Sequence, residues 1–270
     1  MDPSARWMRR ARFPVRAICG LFSPGPACYR LRVSYLRIAH RGAAGTRPEL
    51  TRPAFQRALE IGVDMIELDV QLTRDRRLAV VHDRHLGRTL AGEGPVRART
   101  LAELQAFDAG AWFDPRWSGA TVPSLDDVLA WTAGQAELNV EIKSPPEDWE
   151  ATAEALLALL ERTDRLAGTI ISSFQMGALA AVRQRSPEAH LGVLWQTAEL
   201  DPMWGEATAL EAVAVHPMWG LVDDEVMAEA GRQGRQVIVW TVNDPDAVAQ
   251  LIDLGVTGII SDFPERLPRR

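Results

Sequence analysis

Between Ile38 and Asp83 the chain reads IAHRGAAGTRPELTRPAFQRALEIGVDMIELDVQLTRDRRLAVVHD. Two of its five histidines, His40 and His82, bracket two carboxylates, Glu67 and Asp69. Each histidine ends a hydrophobic run, and the carboxylates alternate within one. In a strand, side chains repeat every two residues, so both carboxylates share a face. Two like charges on one buried face repel and are costly to strip of water, so they call for a cation between them. Histidines near such a cation are suited to be a proton donor and a proton acceptor.

A second signal lies downstream. Of 30 basic side chains only one is lysine, Lys143, in LNVEIKSPP. A lysine kept at one place points to a task for a compact ammonium rather than a planar fork. A single charged residue at a strand end is otherwise ordinary solvated surface. Beside Glu141, on the same strand face, the functional reading gains.

Stepping along the chain gives the elements that must hold these residues. Short β-branched runs fall near 36–40, 65–71, 138–142, 168–173, 190–195, 212–216, 236–242 and 257–261. Helical patterns separate most of them, near 51–61, 124–133, 148–163, 176–185, 222–233 and 244–254. Ser124 with Asp127 reads as a capping box, and Asp244-Pro245 puts proline at a first helical position. Gly62, Gly134, Gly234 and Gly255 each follow a helical run, as a C-terminal cap would. Eight strands alternating with helices predict an α/β fold, a parallel (β/α)₈ TIM-type barrel. An open doubly wound sheet is the alternative, but no Gly-rich phosphate loop follows any strand.

One extra run, Leu78 to His82, reads as the return arm of a hairpin after the second strand, folding His82 back over Glu67 and Asp69. Residues 84–122 then form a long inserted loop, read as a lid or small subdomain. Strand ends of such a barrel carry the active site. His40, Arg41, Glu67, Asp69, Glu141, Lys143, Ser172, Ser173, His216, Trp240, Asn243 and Asp262 all fall there. The ionisable residues outnumber what a structural barrel needs.

Composition narrows the class. With 270 residues and 47% hydrophobic content, the chain can bury a full core. No apolar run is long enough to span a bilayer, so no integral membrane segment is expected. Net charge is −6. Residues 1–37 hold eight arginines against one aspartate, so the body carries −13. An acidic body argues against nucleic-acid binding. Residues 1–36 read as a basic, disordered extension ahead of a barrel domain at 37–270. A membrane-surface tether and an early translation start are other readings of it. Its apolar run, Ala17 to Phe22, falls short of a secretion-signal core, which leaves a cytoplasmic location as the expectation. Both cysteines, Cys19 and Cys28, lie in this extension, so no disulfide staples the body.

The ordered set HRG, P-E-x-T, E-L-D-V, V-H-D, E-I-K, W-T-V-N and S-D-F-P resembles the glycerophosphodiester phosphodiesterase family. The resemblance runs from about Arg37 to the C-terminus. It implies a TIM-type barrel that uses a divalent metal to cleave small-molecule glycerophosphodiesters to glycerol 3-phosphate and an alcohol. By the match, Glu67, Asp69 and Glu141 are the metal ligands, and His40 and His82 the acid–base pair. Arg41 and Lys143 contact phosphate, and Trp240 forms part of the substrate wall. One departure is that Leu50 stands where the family usually has asparagine, which bears on hydrogen bonding near the first loop.

The chemistry fits the set. A phosphodiester is anionic and repels nucleophiles, so charge neutralisation comes first. All-oxygen ligation suits one Ca²⁺ or Mg²⁺ ion. Two other functions compete: a lysophospholipase D or sphingomyelinase-D-like activity on acylated lipids, and a non-catalytic barrel that binds phosphate ligands. The long insertion and the repeated PMWG at 202–205 and 217–220 would favour the former, and loss of a ligand or histidine would have favoured the latter. The PMWG tryptophans also read simply as loop residues capping the barrel end. His85 and His190 read as surface residues, and His216 as a structural rim histidine. Asp83 and Asp262 read as histidine-orienting, glycerol-binding or helix-capping groups. Head-group preference and oligomeric state are not written in the sequence.

Overall fold

The computed structural model describes residues 35–269. The extension read at 1–36, with Cys19 and Cys28, lies outside the described residues except for its last two positions. Nine strands follow in order: β1 (Leu36–His40), β2 (Met65–Leu72), β3 (Leu78–Val80), β4 (Glu137–Ile142), β5 (Thr169–Ser173), β6 (His190–Trp195), β7 (Ala214–Pro217), β8 (Gln236–Val239) and β9 (Gly258–Ser261). All but β3 run parallel, and β1 pairs with both β2 and β9, which closes an eight-stranded barrel. The described helices are α1 (Arg52–Ile61), α2 (Leu101–Gln105), α3 (Leu125–Thr132), α4 (Trp149–Arg162), α5 (Met176–Arg185), α6 (Asp201–Ala209), α7 (Asp224–Gln233) and α8 (Pro245–Leu254). Capping follows the local sequence. Ser124 and Asp127 form the capping box of α3, and such a cap stabilises by ~1 kcal/mol. Gly62, Gly234 and Gly255 end α1, α7 and α8 in the left-handed conformation.

Alternation divides the core into two layers. Ile66, Leu68 and Val70 of β2 pack outward in the main apolar cluster, which also holds helix residues such as Phe55 and Leu160. Met65 instead joins Ile38, Ile170 and Ile260 in a separate apolar floor inside the barrel. Each such buried side chain contributes roughly 1.5–3 kcal/mol. The same parity turns Glu67 and Asp69 inward above that floor. Register sets their neighbours, with His40 beside Glu67 and Asp69 beside Glu141.

The hairpin arm is present. β3 runs antiparallel to β2 and pairs Val80 with Val70. Gln71 Nε2 then lies 3.1, 3.2 and 2.7 Å from the carbonyl oxygens of Val81, His82 and Asp83. The far end of the following connection is pinned too, where Val80 N–H donates to Pro123 O at 3.0 Å and Ala79 bridges Ser124. Between these clamps, Val81, Leu86, Leu90, Val96, Leu104 and Val122 form part of a small core of their own.

Several expectations need correction. The first PMWG is not a loop. It lies in α6, where Pro202 sits in the first turn and Met203 and Ala207 are buried one turn apart. Trp204 packs against the main core, and only Trp219 stands exposed, in a short 3₁₀ turn. The strand expected over 236–242 stops at Val239. Beyond it the chain keeps a single bridge from Trp240 to Met218 before seating Asn243. His190 opens β6, as a strand-entry residue would, but it is half-buried, and burial pushes its pKa down to about 4.

Leu50 has φ of +56°, a conformation that asparagine tolerates better than leucine. Its backbone N–H still donates to Arg41 O at 3.0 Å, so the first loop closes without a side-chain amide. The Leu50 side chain is buried in the main core.

Candidate active site

The end of β1 enters a tight turn. Arg41 has φ of +51° and Gly42 of +81°. A Cβ on Gly42 would lie 2.7 Å from the backbone of Ala54, so only glycine fits there. This turn aims the Arg41 N–H at Glu67 Oε2, 3.1 Å away. It also brings the Arg41 side chain between two carboxylates, with Nη1 2.9 Å from Glu49 Oε1 and Nε 3.3 Å from Asp69 Oδ2. Lys143, just past β4, places Nζ 2.6 Å from Glu141 Oε1 and 3.5 Å from Asp69 Oδ1.

Glu67, Asp69 and Glu141 converge. Each offers an oxygen, and the three oxygens lie within 4.8 Å of one another. That spacing is compatible with a shared ion at ~2.3–2.6 Å from each. Neither Asp69 oxygen has an aligned hydrogen bond, although both are buried. Two buried anionic oxygens with an ion pair each but no aligned hydrogen bond, in an all-oxygen cluster, are what a hard divalent cation would satisfy, so the residues present fit one.

The protonation pattern agrees. Burial, with repulsion from Asp69 and Glu141, pushes Glu67 well above the usual carboxylate range. Burial and Asp69 push Glu141 up to about 8, despite Lys143. Burial opposes ionisation of Asp69 as well, but Arg41 and Lys143 outweigh it and hold that carboxyl below its usual value. Without a cation, therefore, the cluster stores protons. A carboxyl whose folded pKa is raised stabilises the fold below its unfolded value of 4.5, and that contribution is lost as pH rises through about 8. In EDTA, the wild-type melting temperature should fall relative to Glu141→Gln as pH rises from 6.5 to 8. Added Ca²⁺ or Mg²⁺ should reverse the fall. Calorimetry across that range checks it, and parallel curves for the two proteins would remove the stored proton.

The two histidines are oriented alike. His40 Nδ1 lies 2.6 Å from Asp262 Oδ1, and Asn243 Nδ2 donates to Asp262 Oδ2 at 2.7 Å. His82 Nδ1 lies 2.8 Å from Asp83 Oδ1. A proton shared at Nδ1 leaves each Nε2 open. That of His40 is 3.8 Å from Glu67 Oε2. Burial lowers the His82 pKa, Asp69 opposes this, and Arg41 and Lys143 add to it. Trp240 stacks edge-on against Phe174, with ring centroids 5.3 Å apart, and its indole N–H donates to His216 O at 2.7 Å. His216 itself is fully buried and pushed down to about 3, a neutral imidazole inside the barrel.

Three participants were not singled out by the sequence. Glu49 holds Arg41 and is itself gripped by Arg88, whose Nη1 and Nη2 lie 3.0 and 2.7 Å from its oxygens. Arg88 also donates to Asp83 Oδ2 at 2.6 Å, backing His82. Phe174 lies under the Lys143 ammonium, 5.5 Å from Nζ to ring centroid. Glu49 was visible within P-E-x-T, but Arg88 was one arginine among many and Phe174 one apolar residue after a strand.

A closed (β/α)₈ barrel with a carboxylate trio, two cations and two carboxylate-backed imidazoles at the strand ends is the frame of a hydrolytic barrel enzyme. The chain belongs to the glycerophosphoryl diester phosphodiesterase family, whose model matches residues 40–266. It is a phosphoric diester hydrolase. It is 37% identical over 233 residues to the glycerophosphodiester phosphodiesterase of Caldanaerobacter subterraneus subsp. tengcongensis, covering 86% of this chain and 96% of that relative. A Bacillus subtilis glycerophosphodiester phosphodiesterase is 32% identical, with 85% of this chain and 84% of the relative covered. In structure, an Oleispira antarctica phosphodiesterase in complex with the product sn-glycerol-3-phosphate superposes with a TM-score of 0.79 at 28% identity, over 85% of this chain and 94% of that one. Among the described residues no helix is long and apolar enough to cross a membrane.

Proposed function

We propose that this chain hydrolyses glycerophosphodiesters to glycerol 3-phosphate and an alcohol by divalent-metal-assisted, two-histidine catalysis. The convergence of Glu67, Asp69 and Glu141, with Asp69 lacking hydrogen bonds, carries the reading. Glu67, Asp69 and Glu141 would hold a Ca²⁺ or Mg²⁺ ion, which would supply Lewis acidity to the phosphodiester. Arg41 and Lys143 neutralise the phosphate, Arg41 as a fork and Lys143 as a point charge. One open Nε2 takes a proton from the attacking oxygen, which belongs to water or to the neighbouring glycerol hydroxyl. The other histidine gives a proton to the departing alkoxide. Asp262 and Asp83 hold both rings in the required tautomer. Trp240 and Phe174 wall the substrate.

The test is direct. Glycerophosphocholine should yield glycerol 3-phosphate in a coupled dehydrogenase assay. EDTA should abolish turnover, and Ca²⁺ or Mg²⁺ should restore it. Full activity in excess EDTA would refute the metal role.

A second reading is cleavage of the same bond in lipids that retain one acyl chain. It draws on Trp112, Met218 and Trp219, the large apolar side chains exposed among the described residues. Turnover of lysophosphatidylcholine above that of glycerophosphocholine would favour it.

A further inference from the structure

Beside the carboxylate cluster a cavity of about 590 Å³ opens toward solvent. Its buried end holds Glu141 and Lys143, with His82 and Phe174 on the walls. Its exposed end is made by Arg84, His85 and Arg88. His40, Asp262 and Trp240 do not line it. The cavity thus extends from the reacting centre on the His82 side alone. It is larger than a glycerol unit requires, so it suits the variable limb of the substrate, the departing alcohol.

The charges along this cavity are not equivalent. Arg88 is fully committed, since all three of its guanidinium nitrogens contact Glu49 or Asp83. Arg84 differs. Its Nε donates to Lys143 O at 2.8 Å, which fixes the guanidinium plane, and it has no ion-pair partner among the described residues. A planar fork anchored through Nε presents two terminal nitrogens as donors. A cationic alcohol finds little to hold it there. Asp83 is occupied by His82 and Arg88, and Glu141 by Lys143. The Phe174 face, which would otherwise attract an ammonium, already carries Lys143.

We propose that Arg84, anchored on the Lys143 carbonyl at the mouth of this cavity, is a specificity-determining residue that favours glycerophosphodiesters whose departing alcohol bears an additional phosphate. The proposal rests on the phosphodiesterase reading above and refines its substrate class. Arg84 touches the distal phosphate of the departing alcohol and takes no part in proton transfer. It acts mainly on binding of that limb, so the preference should reside mostly in KM.

A matched substrate pair tests it: glycerophosphoinositol and glycerophosphoinositol 4-phosphate, which differ by one phosphate on the departing alcohol. The wild-type holoenzyme should prefer the phosphorylated member by roughly tenfold in kcat/KM, a modest value for an exposed charge-assisted contact. High salt should shrink the preference. Arg84→Gln should bring the ratio close to one, and Arg84→Glu should invert it. The ratio cancels any loss common to both substrates, including one from a shift of Lys143. A wild-type ratio near one, or a tenfold ratio that survives in Arg84→Gln, overturns the assignment while leaving the phosphodiesterase reading intact. Failure of the wild type to release glycerol 3-phosphate from any glycerophosphodiester would overturn both.

Discussion

Replacing His82 by alanine is expected to lower kcat by roughly 10²–10⁴-fold, the span for loss of a general acid or base. The melting temperature should change little, because the ring is 29% exposed and lines the open cavity. Its Nδ1 is committed to Asp83, which leaves Nε2 as the nitrogen open for the proposed proton transfer. His40→Ala should cost a similar factor, since Asp262 orients that ring in the same way. With the departing alcohol placed in the cavity, as proposed above, His82 is the nearer of the two histidines to it. A diester that releases nitrophenolate needs no proton at that oxygen. On such a substrate His82→Ala should recover most of its activity, whereas His40→Ala should not. Near-normal turnover of glycerophosphocholine by either folded variant would remove it from the acid–base pair. Equal recovery of both would undo the assignment of roles.

Glu67→Gln is expected to abolish the calorimetric signal of Ca²⁺ or Mg²⁺ binding and to lower turnover by at least roughly 10³-fold, the scale of losing one strong electrostatic stabiliser. The fold should survive. In the cation-free site Glu67 already favours its protonated form, because burial and its carboxylate neighbours oppose ionisation. Glutamine reproduces that neutral shape and keeps an oxygen for the Arg41 N–H. What it cannot supply is the third negative charge. The cation would then face Asp69 and Glu141 alone, with Arg41 and Lys143 competing for Asp69 and Lys143 for Glu141. Undiminished metal binding by Glu67→Gln would show that the three carboxylates do not share an ion.

Local pattern revealed most of this site because most of it is local. Alternation in ELDV placed Glu67 and Asp69 on one inward face, and parity in EIK did the same for Glu141 and Lys143. The polar turn before Leu78 was enough to fold a return arm onto β2. What remained hidden depended on distance or on weak local signal. Asp262 read as one of several histidine-orienting, glycerol-binding or capping candidates, but its pairing with His40, across 222 positions, is one that only barrel closure creates. Arg88 joins Glu49 to Asp83 through a guanidinium that nothing in sequence separates from 28 other arginines. Helix α6 was missed because Pro202 and Gly205 read as turn residues, although proline is at home in a first turn. Leu50 shows the opposite case. A residue poorly suited to its backbone conformation is held there by burial and by one backbone hydrogen bond.

The clamps around the segment from Asp83 to Pro123 have an evolutionary consequence. Gln71 fixes the carbonyls where the segment departs, and β3 fixes the strand where it returns. Its interior is stabilised by apolar residues largely of its own. A segment clamped at both ends in this way can vary as a cassette. A lineage can lengthen, shorten or exchange the part beyond Arg88 while His82, Asp83 and Arg88 stay where the Gln71 clamp and their own contacts hold them. Recruitment of this scaffold to new diesters would proceed by grafting at one junction pair rather than by rebuilding the catalytic centre.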